Sequence, residues 1–93
     1  MSQSDELTML KIDLGITTTA YDARLTQLLQ IARENIKAEG ATTLNDASSV
    51  ADANLVIIYA AWLWRRRDTM EGMPRMVRWA LNNRVFSEKA ATL

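Results

Sequence analysis

The longest uninterrupted apolar stretch of the chain covers residues 55–64. None of these ten residues is charged, and together they would cover a helix on every side, a pattern typical of a helix surrounded by other elements. The chain from Ser49 to residue 67 contains no Gly or Pro, and this length favours a helix over a strand. Ser49 followed by Asp52 forms a helix-start signal. The pattern predicts a central helix at about residues 49–67.

Two further helices are indicated before it by apolar positions three and four residues apart. The first is short, at about residues 5–14, and Gly15 provides its end because glycine readily adopts the left-handed conformation of a helix cap. The second is amphipathic and covers about residues 20–38, with Gly40 just beyond its end. The first helix is too short to persist alone, so we expect it to pack on another element.

Pro74 suits the first position of a final helix, where its missing N–H costs nothing. We expect this helix at about residues 74–83, followed by a small, polar tail at 87–93 that is expected to be mobile. Trp79 would lie at the margin of its inward stripe. The stripe itself consists of Met76, Val77, Ala80 and Leu81.

These elements predict an all-α fold. We expect one small four-helix domain covering residues 1–93, with two longer antiparallel helices and two shorter ones around the apolar stretch. A chain of this size buries only about 60–65% of its unfolded surface, so assembly with other chains would add stability. Asp52 interrupts the uncharged stretch well short of the roughly 20 apolar residues that span a bilayer, and no membrane segment is expected.

The composition removes most catalytic chemistry. The chain contains no Cys and no His, so it lacks thiolate metal ligands, the commonest metal ligand and the usual acid–base group. No nucleophile with an adjacent base and no glycine-rich phosphate loop is found. The sequence therefore predicts a protein that is not an enzyme and needs no cofactor or metal. The first residues lack a signal-peptide pattern, which predicts a location in the cytoplasm of the host cell.

Charge is distributed unevenly along the chain, although the net charge is zero. Residues 1–52 hold eight acids and four bases, whereas residues 53–93 hold three acids and seven bases. This asymmetry can indicate a nucleic-acid surface on the basic half, or complementary faces that let copies pack head to tail. It can also arise simply from helix ends and solvated faces.

The densest charge is the arginine triplet 65–67. It can be a solvated helix end that complements the helix dipole, a phosphate contact, or a plate for ion pairs with an acidic partner. Three adjacent arginines spread around most of a helix circumference, so they cannot all face one duplex groove. This argues against direct reading of DNA sequence.

Three tryptophans and three methionines are the candidate contact residues of the second half. Trp62, Trp64 and Trp79 are core candidates first, but they exceed what one small core readily hides, and Trp is enriched at interface hot spots. Methionines flank Pro74 and would form a flexible apolar patch suited to a partner, or simply pack the loop. These methionines are Met70, Met73 and Met76.

The order of these features resembles the head-tail connector proteins of long-tailed phages and prophages, also called adaptor or head-completion proteins. The matching segments are residues 7–16, the second-helix segments 21–25 and 28–36, the central 60–68 and the Pro-started 73–79. The resemblance covers roughly residues 7–86. The chain departs from the family in the brief connection between helices two and three, which is longer in many members, and its C-terminal tail offers no match.

The resemblance implies a structural role in the virion. Family members form an oligomeric ring, commonly twelve-fold, that joins the capsid portal to the tail or to the next head-completion protein and extends the DNA channel. By this resemblance the partners are the portal protein, other head-completion or tail proteins and further copies of the chain, with non-specific passage of DNA through the lumen. The protein would assemble in the host cytoplasm and reside at the head-tail junction of the virion.

Charge and position lead to a hypothesis for the contact residues. The segment from Arg65 onward would meet the portal or a neighbouring subunit, and surface acids of the second helix would meet the adjoining subunit. The candidate residues are Arg65, Arg66, Arg67, Met70, Met73, Arg75, Met76, Arg78 and Trp79, together with the acids Asp22 and Glu34.

Two other functions stay open. The basic second half allows a small helical DNA-binding regulator, although the expected reading helix is mostly apolar and lacks a face rich in Arg, Asn or Gln. An unspecified helical interaction domain or toxin–antitoxin partner is the third interpretation.

Overall fold

The computed structural model of the protein describes residues 1–66 and 72–92. These residues form four α-helices and no strand, which confirms the all-α prediction. The helices are α1 (Gln3–Leu14), α2 (Asp22–Ala38), α3 (Val50–Arg65) and α4 (Arg75–Thr92).

α3 is the centre of the fold, as the apolar stretch predicted. It packs against α1, α2 and α4, and the Ser49 hydroxyl caps its start by accepting a hydrogen bond from the Asp52 amide at 3.2 Å. One line of α3 stays open, however, because Asn54 is exposed and Ile58 and Trp62 are only partly buried. These residues are four apart and share one face of the helix. The expectation that α3 is covered on every side is wrong along this line.

α1 and α2 cover two other sides of α3. α1 begins at Gln3, earlier than predicted, because the Ser2 hydroxyl caps it by accepting from the Asp5 amide at 3.1 Å. Gly15 ends α1 with φ 71, in the left-handed conformation that its position predicted. α2 begins at Asp22, two residues later than predicted. Its buried face consists of Leu25, Leu28, Leu29, Ala32 and Ile36.

α4 differs most from the prediction. It contains 18 residues and is the longest described helix, whereas the sequence indicated an end near residue 83. The mobile tail expected at 87–93 is wrong for residues 87–92, which continue the helix, and residue 93 lies outside the described residues. The helices contain 12, 17, 16 and 18 residues, so the predicted two long and two short helices are also wrong.

Contacts with the loop after α2 explain the length of α4. Gly40 has φ 128, and a Cβ atom on it would lie 3.0 Å from Val85 Cγ1 of α4. One turn beyond Val85, Glu88 accepts hydrogen bonds from the amides of Thr42 and Thr43. Contacts with residues more than 40 positions earlier therefore hold the second half of α4 in place.

The inward face of α4 is narrower than predicted. Val77 and Leu81, four residues apart, are buried, and Ala80 is partly buried. Met76 was expected in the same stripe, but it is 77% exposed. Because successive helix residues are turned by about 100°, Met76 falls outside the line through Val77 and Leu81 by which α4 meets α3.

Candidate interaction surface

A groove lies between α3 and the first half of α4. The open line of α3 forms one wall through Ile58 and Trp62, and α4 forms the other through Met76, Trp79 and Ala80. The cavity measures about 460 Å³. A second cavity of about 260 Å³ continues it along the helices and shares Ile58, Trp79 and Ala80 with it. The groove is thus mainly apolar, and it exists because α4 touches α3 along a single line.

The outward face of α4 carries large apolar side chains. Met76 is 77% exposed, Trp79 is 65% exposed and Phe86 is 72% exposed. A single exposed hydrophobic residue is ordinary, whereas several on one helix mark an interaction site. Trp79 thus belongs to the surface rather than to the core. Phe86 was missed by sequence reasoning because it fell near the end assigned to the helix.

The other two tryptophans lie near the C-terminal end of α3. Trp64 is partly buried and meets the Tyr21 ring edge-on, with ring centroids 5.3 Å apart. Trp62 packs edge-on against Tyr59 at 5.5 Å and donates its indole N–H to the Gly72 carbonyl at 3.2 Å. Both rings are partly buried and pack against the core, and Trp62 also lines the groove, so the core interpretation is correct for them only in part.

The arginine triplet does not form one plate. The Arg66 guanidinium lies over the Trp62 ring, 4.6 Å from its centroid. Arg65 is exposed, and its Nη2 donates to the Asp13 carbonyl at the end of α1 at 3.4 Å. Arg67 lies outside the described residues, as does Met70. The two described arginines thus point to different neighbours, in agreement with the spread expected for adjacent helix positions.

The remaining basic and thioether candidates lie at the start of α4. Met73 is partly buried and packs against the core, whereas Arg75 and Arg78 are exposed. Arg78 lies 3.8 Å from the Glu39 carboxylate, and both side chains are about half exposed. An exposed pair at this distance contributes little to stability. The arginines at the start of α4 thus leave a basic surface beside Trp79.

The acids expected to meet an adjoining subunit differ from each other. Asp22 is half-buried at the start of α2 and forms an ion pair with Lys11 at 2.8 Å. Glu34 is exposed, and it accepts a hydrogen bond from Gln30 one turn earlier at 3.3 Å. Asp22 is therefore engaged within its own chain, and Glu34 alone of these two is turned to solvent.

Asp52 and Arg84 connect the start of α3 to α4. Arg84 Nε donates to Asp52 Oδ1 at 2.7 Å, and its Nη2 donates to the Thr43 hydroxyl at 3.0 Å. Asp52 is 6% exposed and also accepts from the Asn45 amide at 3.0 Å. The sequence predicts Asp52 as an acid in the first turn of the helix, where it complements the helix dipole. No local pattern predicts its ion pair with Arg84.

Glu88 makes the second connection, one turn beyond Arg84. It accepts from the Thr42 amide at 2.8 Å, from the Thr42 hydroxyl at 3.2 Å and from the Thr43 amide. Hydrogen bonds from the side chain of Thr43 and then from the backbone amides, which favour the ionised carboxylate, lower its pKa to about 2. The two connections fix the orientation of α4 and thereby the side on which Trp79 and Phe86 are exposed.

A third cluster anchors α1. Arg33 Nη2 donates to Glu6 Oε1 at 2.6 Å, and Arg33 Nε donates to Asp46 Oδ2 at 2.7 Å. Glu6 is fully buried. Burial raises its pKa to about 7, and a hydrogen bond to Asp46 acts in the same direction, whereas the hydrogen bond and positive charge of Arg33 oppose the rise. Burial acts in the same direction on Asp46, but hydrogen bonds from Glu6 and Arg33 prevail and lower its pKa. Asp46 thus ionises more readily than Glu6.

These clusters change the interpretation of charge. Acidic side chains are mostly exposed in folded proteins, but Glu6, Asp52 and Glu88 are buried. Two bases of the second half, Arg78 and Arg84, lie beside acids of the first half in the same chain. The opposite charges of the two halves are therefore partly neutralised within one molecule, because the fold brings the halves together. The exposed charge that remains available to a partner therefore lies in smaller patches than the charge totals of the two halves indicated.

No family model, no curated protein and no solved structure matches this chain. In the described part of the chain, no helix has the length and apolar character needed to cross a membrane.

Proposed function

We propose that the protein is a structural virion subunit that assembles into a ring at the head-tail junction, between the portal and the tail or the next head-completion protein. The proposal joins the resemblance of residues 7–86 to the head-tail connector proteins with the surface that the fold exposes. Such a subunit needs contact surfaces rather than a catalytic centre.

The observation that carries the proposal is the exposed apolar face of α4. Met76, Trp79 and Phe86 are each at least 65% exposed. An aromatic side chain buries about 150–250 Å² when it is fully covered, so this face offers a large gain to a partner. The neighbouring groove along Ile58 and Trp62 enlarges the same face. A subunit of an assembly has a reason to retain such a surface, whereas an isolated monomer gains nothing from it.

Exposed bases beside this face support passage of DNA near the ring. Arg75 and Arg78 lie at the start of α4, and Arg65 lies at the end of α3. Guanidinium groups attract phosphates without reading base sequence. A ring that placed these side chains toward its lumen would meet DNA in this non-specific manner.

The test combines the purified protein with the portal protein encoded in the same phage or prophage genome. Native mass spectrometry and electron microscopy should show many copies of the chain on each portal ring. Trp79→Ala should abolish this complex while circular dichroism stays unchanged, and Gln27→Ala, on the exposed side of α2, should leave it intact. A strict monomer that never associates with the portal would overturn the proposal. Connectors of this family are often monomers without their template, so the portal is essential to the test.

The second candidate is a DNA-binding regulator, which one observation favours. The exposed face of α4 carries Asn82 and Asn83 in addition to Arg75 and Arg78, and Asn and Arg are the side chains that read base edges. Trp79 stands in the middle of this face, where it would obstruct entry of the helix into a groove. A sequence-selective shift of labelled duplex that weakens with salt would favour this function over the ring.

A further inference from the structure

The outward side of α4 forms a regular line. Arg75, Trp79, Asn82, Phe86 and Lys89 are all exposed, and their spacings of four, three, four and three residues keep them on one face of a helix. Trp79 and Phe86 are seven residues apart, which corresponds to about 10 Å along the helix. The shorter Asn82 lies between them. We call these five residues the α4 line. It has two protruding aromatic side chains with a gap between them and a basic residue at each end.

α1 carries a line of the opposite character. Asp5, Met9 and Ile12 are exposed on the side turned away from the core, at spacings of four and three residues. Met9 is 43% exposed and Ile12 is 66% exposed. Asp13 is also exposed, next to Ile12. We call Asp5, Met9 and Ile12 the α1 line: two neighbouring apolar side chains with an acid at one end.

The two lines are complementary in shape and charge. Met9 and Ile12 are three residues apart, or about 4.5 Å along α1, which is short enough to enter the gap between Trp79 and Phe86 over Asn82. With Met9 and Ile12 in this gap, Asp5 would extend toward one basic end of the α4 line. Helices that present apolar residues at these spacings dock into one another, and flanking charges select the partner.

We infer that the α1 line of one copy docks on the α4 line of the next copy. This inference rests on the proposed function, because it specifies the contact that would build the ring. A symmetric contact between two α4 lines is disfavoured, since it would bring Arg75 of one copy close to a basic end of the other. α1 and α4 are different surfaces, so a bound pair leaves one α1 line and one α4 line free, and the contact propagates into a ring or a filament.

The size of the contact explains how it would depend on a template. One helix line on another is a small interface, so an isolated pair of subunits should bind weakly. When copies are held side by side on a portal, each contact becomes intramolecular and the effective concentration rises. We expect little association in dilute solution and complete association on the template.

Disulfide cross-linking tests the contact directly, because the chain contains no Cys. A double variant with Ile12→Cys and Asn82→Cys places both thiols at exposed positions where the inferred contact brings them together. Oxidation should give a ladder of linked dimers, trimers and larger species on a non-reducing gel, both at high protein concentration and on the portal. The matched control pairs Ile12→Cys with Gln27→Cys on the exposed side of α2, and it should give no ladder.

Three outcomes decide the inference. A ladder confined to the Ile12→Cys/Asn82→Cys pair supports it. Linked dimers from Asn82→Cys alone would overturn it, because they would show a symmetric contact between α4 lines. A double variant that assembles on the portal but links no better than the control would also overturn it, while the proposed function would stand. Absence of any assembly on the portal would instead overturn the proposed function.

Discussion

Glu6 provides the sharpest test of how α1 is anchored. Its carboxyl is fully buried beside Arg33 and Asp46, and burial raises its pKa from 4.5 to about 7. The folded chain therefore keeps a proton that the unfolded chain releases. Stability from this group is complete below pH 4.5 and is lost as the pH rises through 7. Each pKa unit corresponds to about 1.4 kcal/mol, so a shift from 4.5 to about 7 limits the loss to about 3–4 kcal/mol.

The substitution that isolates this effect is Glu6→Gln. Glutamine has nearly the same shape, stays neutral at every pH and keeps an oxygen that accepts from Arg33. We expect the free energy of unfolding of the wild type to fall between pH 4.5 and pH 7, the interval bounded by the two pKa values, and that of the variant to stay level. Above pH 7 the variant should be at least as stable as the wild type. The measurement is urea unfolding followed by circular dichroism across this interval.

The chain is well suited to this measurement because it has no His, the side chain that usually titrates in the same interval. The control is Glu34→Gln on the exposed side of α2, which should reproduce the wild-type pH dependence. The reasoning is refuted if wild-type stability is flat or rises across the interval. It is also refuted if Glu6→Gln is clearly less stable above pH 7, because that would show an ionised Glu6 stabilised by Arg33.

Three further predictions concern α4 and α3. Glu88→Gln should increase hydrogen exchange of the Thr42 amide, because the ionised acceptor is lost. In the wild type, the contribution of Glu88 to stability is present above pH 4.5 and is lost as the pH falls toward its pKa of about 2. Leu81→Ala should lower the free energy of unfolding by about 2–5 kcal/mol, since Leu81 is 1% exposed and its truncation leaves a cavity. Ser49→Ala should cost about 1 kcal/mol, because the N-terminus of α3 loses its cap. Both stability changes are measured by urea unfolding.

Each of these predictions has a control on the same element. Asn82→Ala, at an exposed position of α4, should leave exchange at Thr42 unchanged. Met76→Ala, also exposed, should change stability by less than about 0.5 kcal/mol. Ser48→Ala lies just before the cap and should be near neutral. Protection of Thr42 that survives Glu88→Gln, or a Leu81→Ala variant as stable as Met76→Ala, would contradict the packing described for α4.

Several features follow from local sequence because the interactions behind them are local. The uncharged stretch at 55–64 must be covered by other elements in water, and this alone places α3 at the centre of the fold. Gly15 and Ser49 act on the backbone within four residues of themselves, so their roles at helix ends can be read directly. The all-α class follows from the same periodicity.

The length of α4 and the side that it exposes were decided by tertiary structure. Glu88 finds its partners at Thr42 and Thr43, more than 40 residues earlier, and no local pattern can predict such a contact. Without this contact, the sequence of residues 87–93 predicts a tail. The spacing of apolar residues three and four positions apart is compatible with Met76 facing inward. Met76 is exposed because α4 contacts α3 along a different line of residues.

For the buried charged residues too, the sequence predicts one part of their role and the tertiary structure decides the other. The sequence alone assigns Glu6 and Asp52 to first helical turns, where acids complement the helix dipole, and this assignment is correct. It cannot show that Arg33 and Arg84 lie beside them, because those contacts join residues 27 and 32 positions apart. Hydrophobic pattern and capping thus determined the helices and the central place of α3. Packing between distant segments decided which charges are buried and which apolar side chains remain for a partner, because burial depends on what the whole chain brings together.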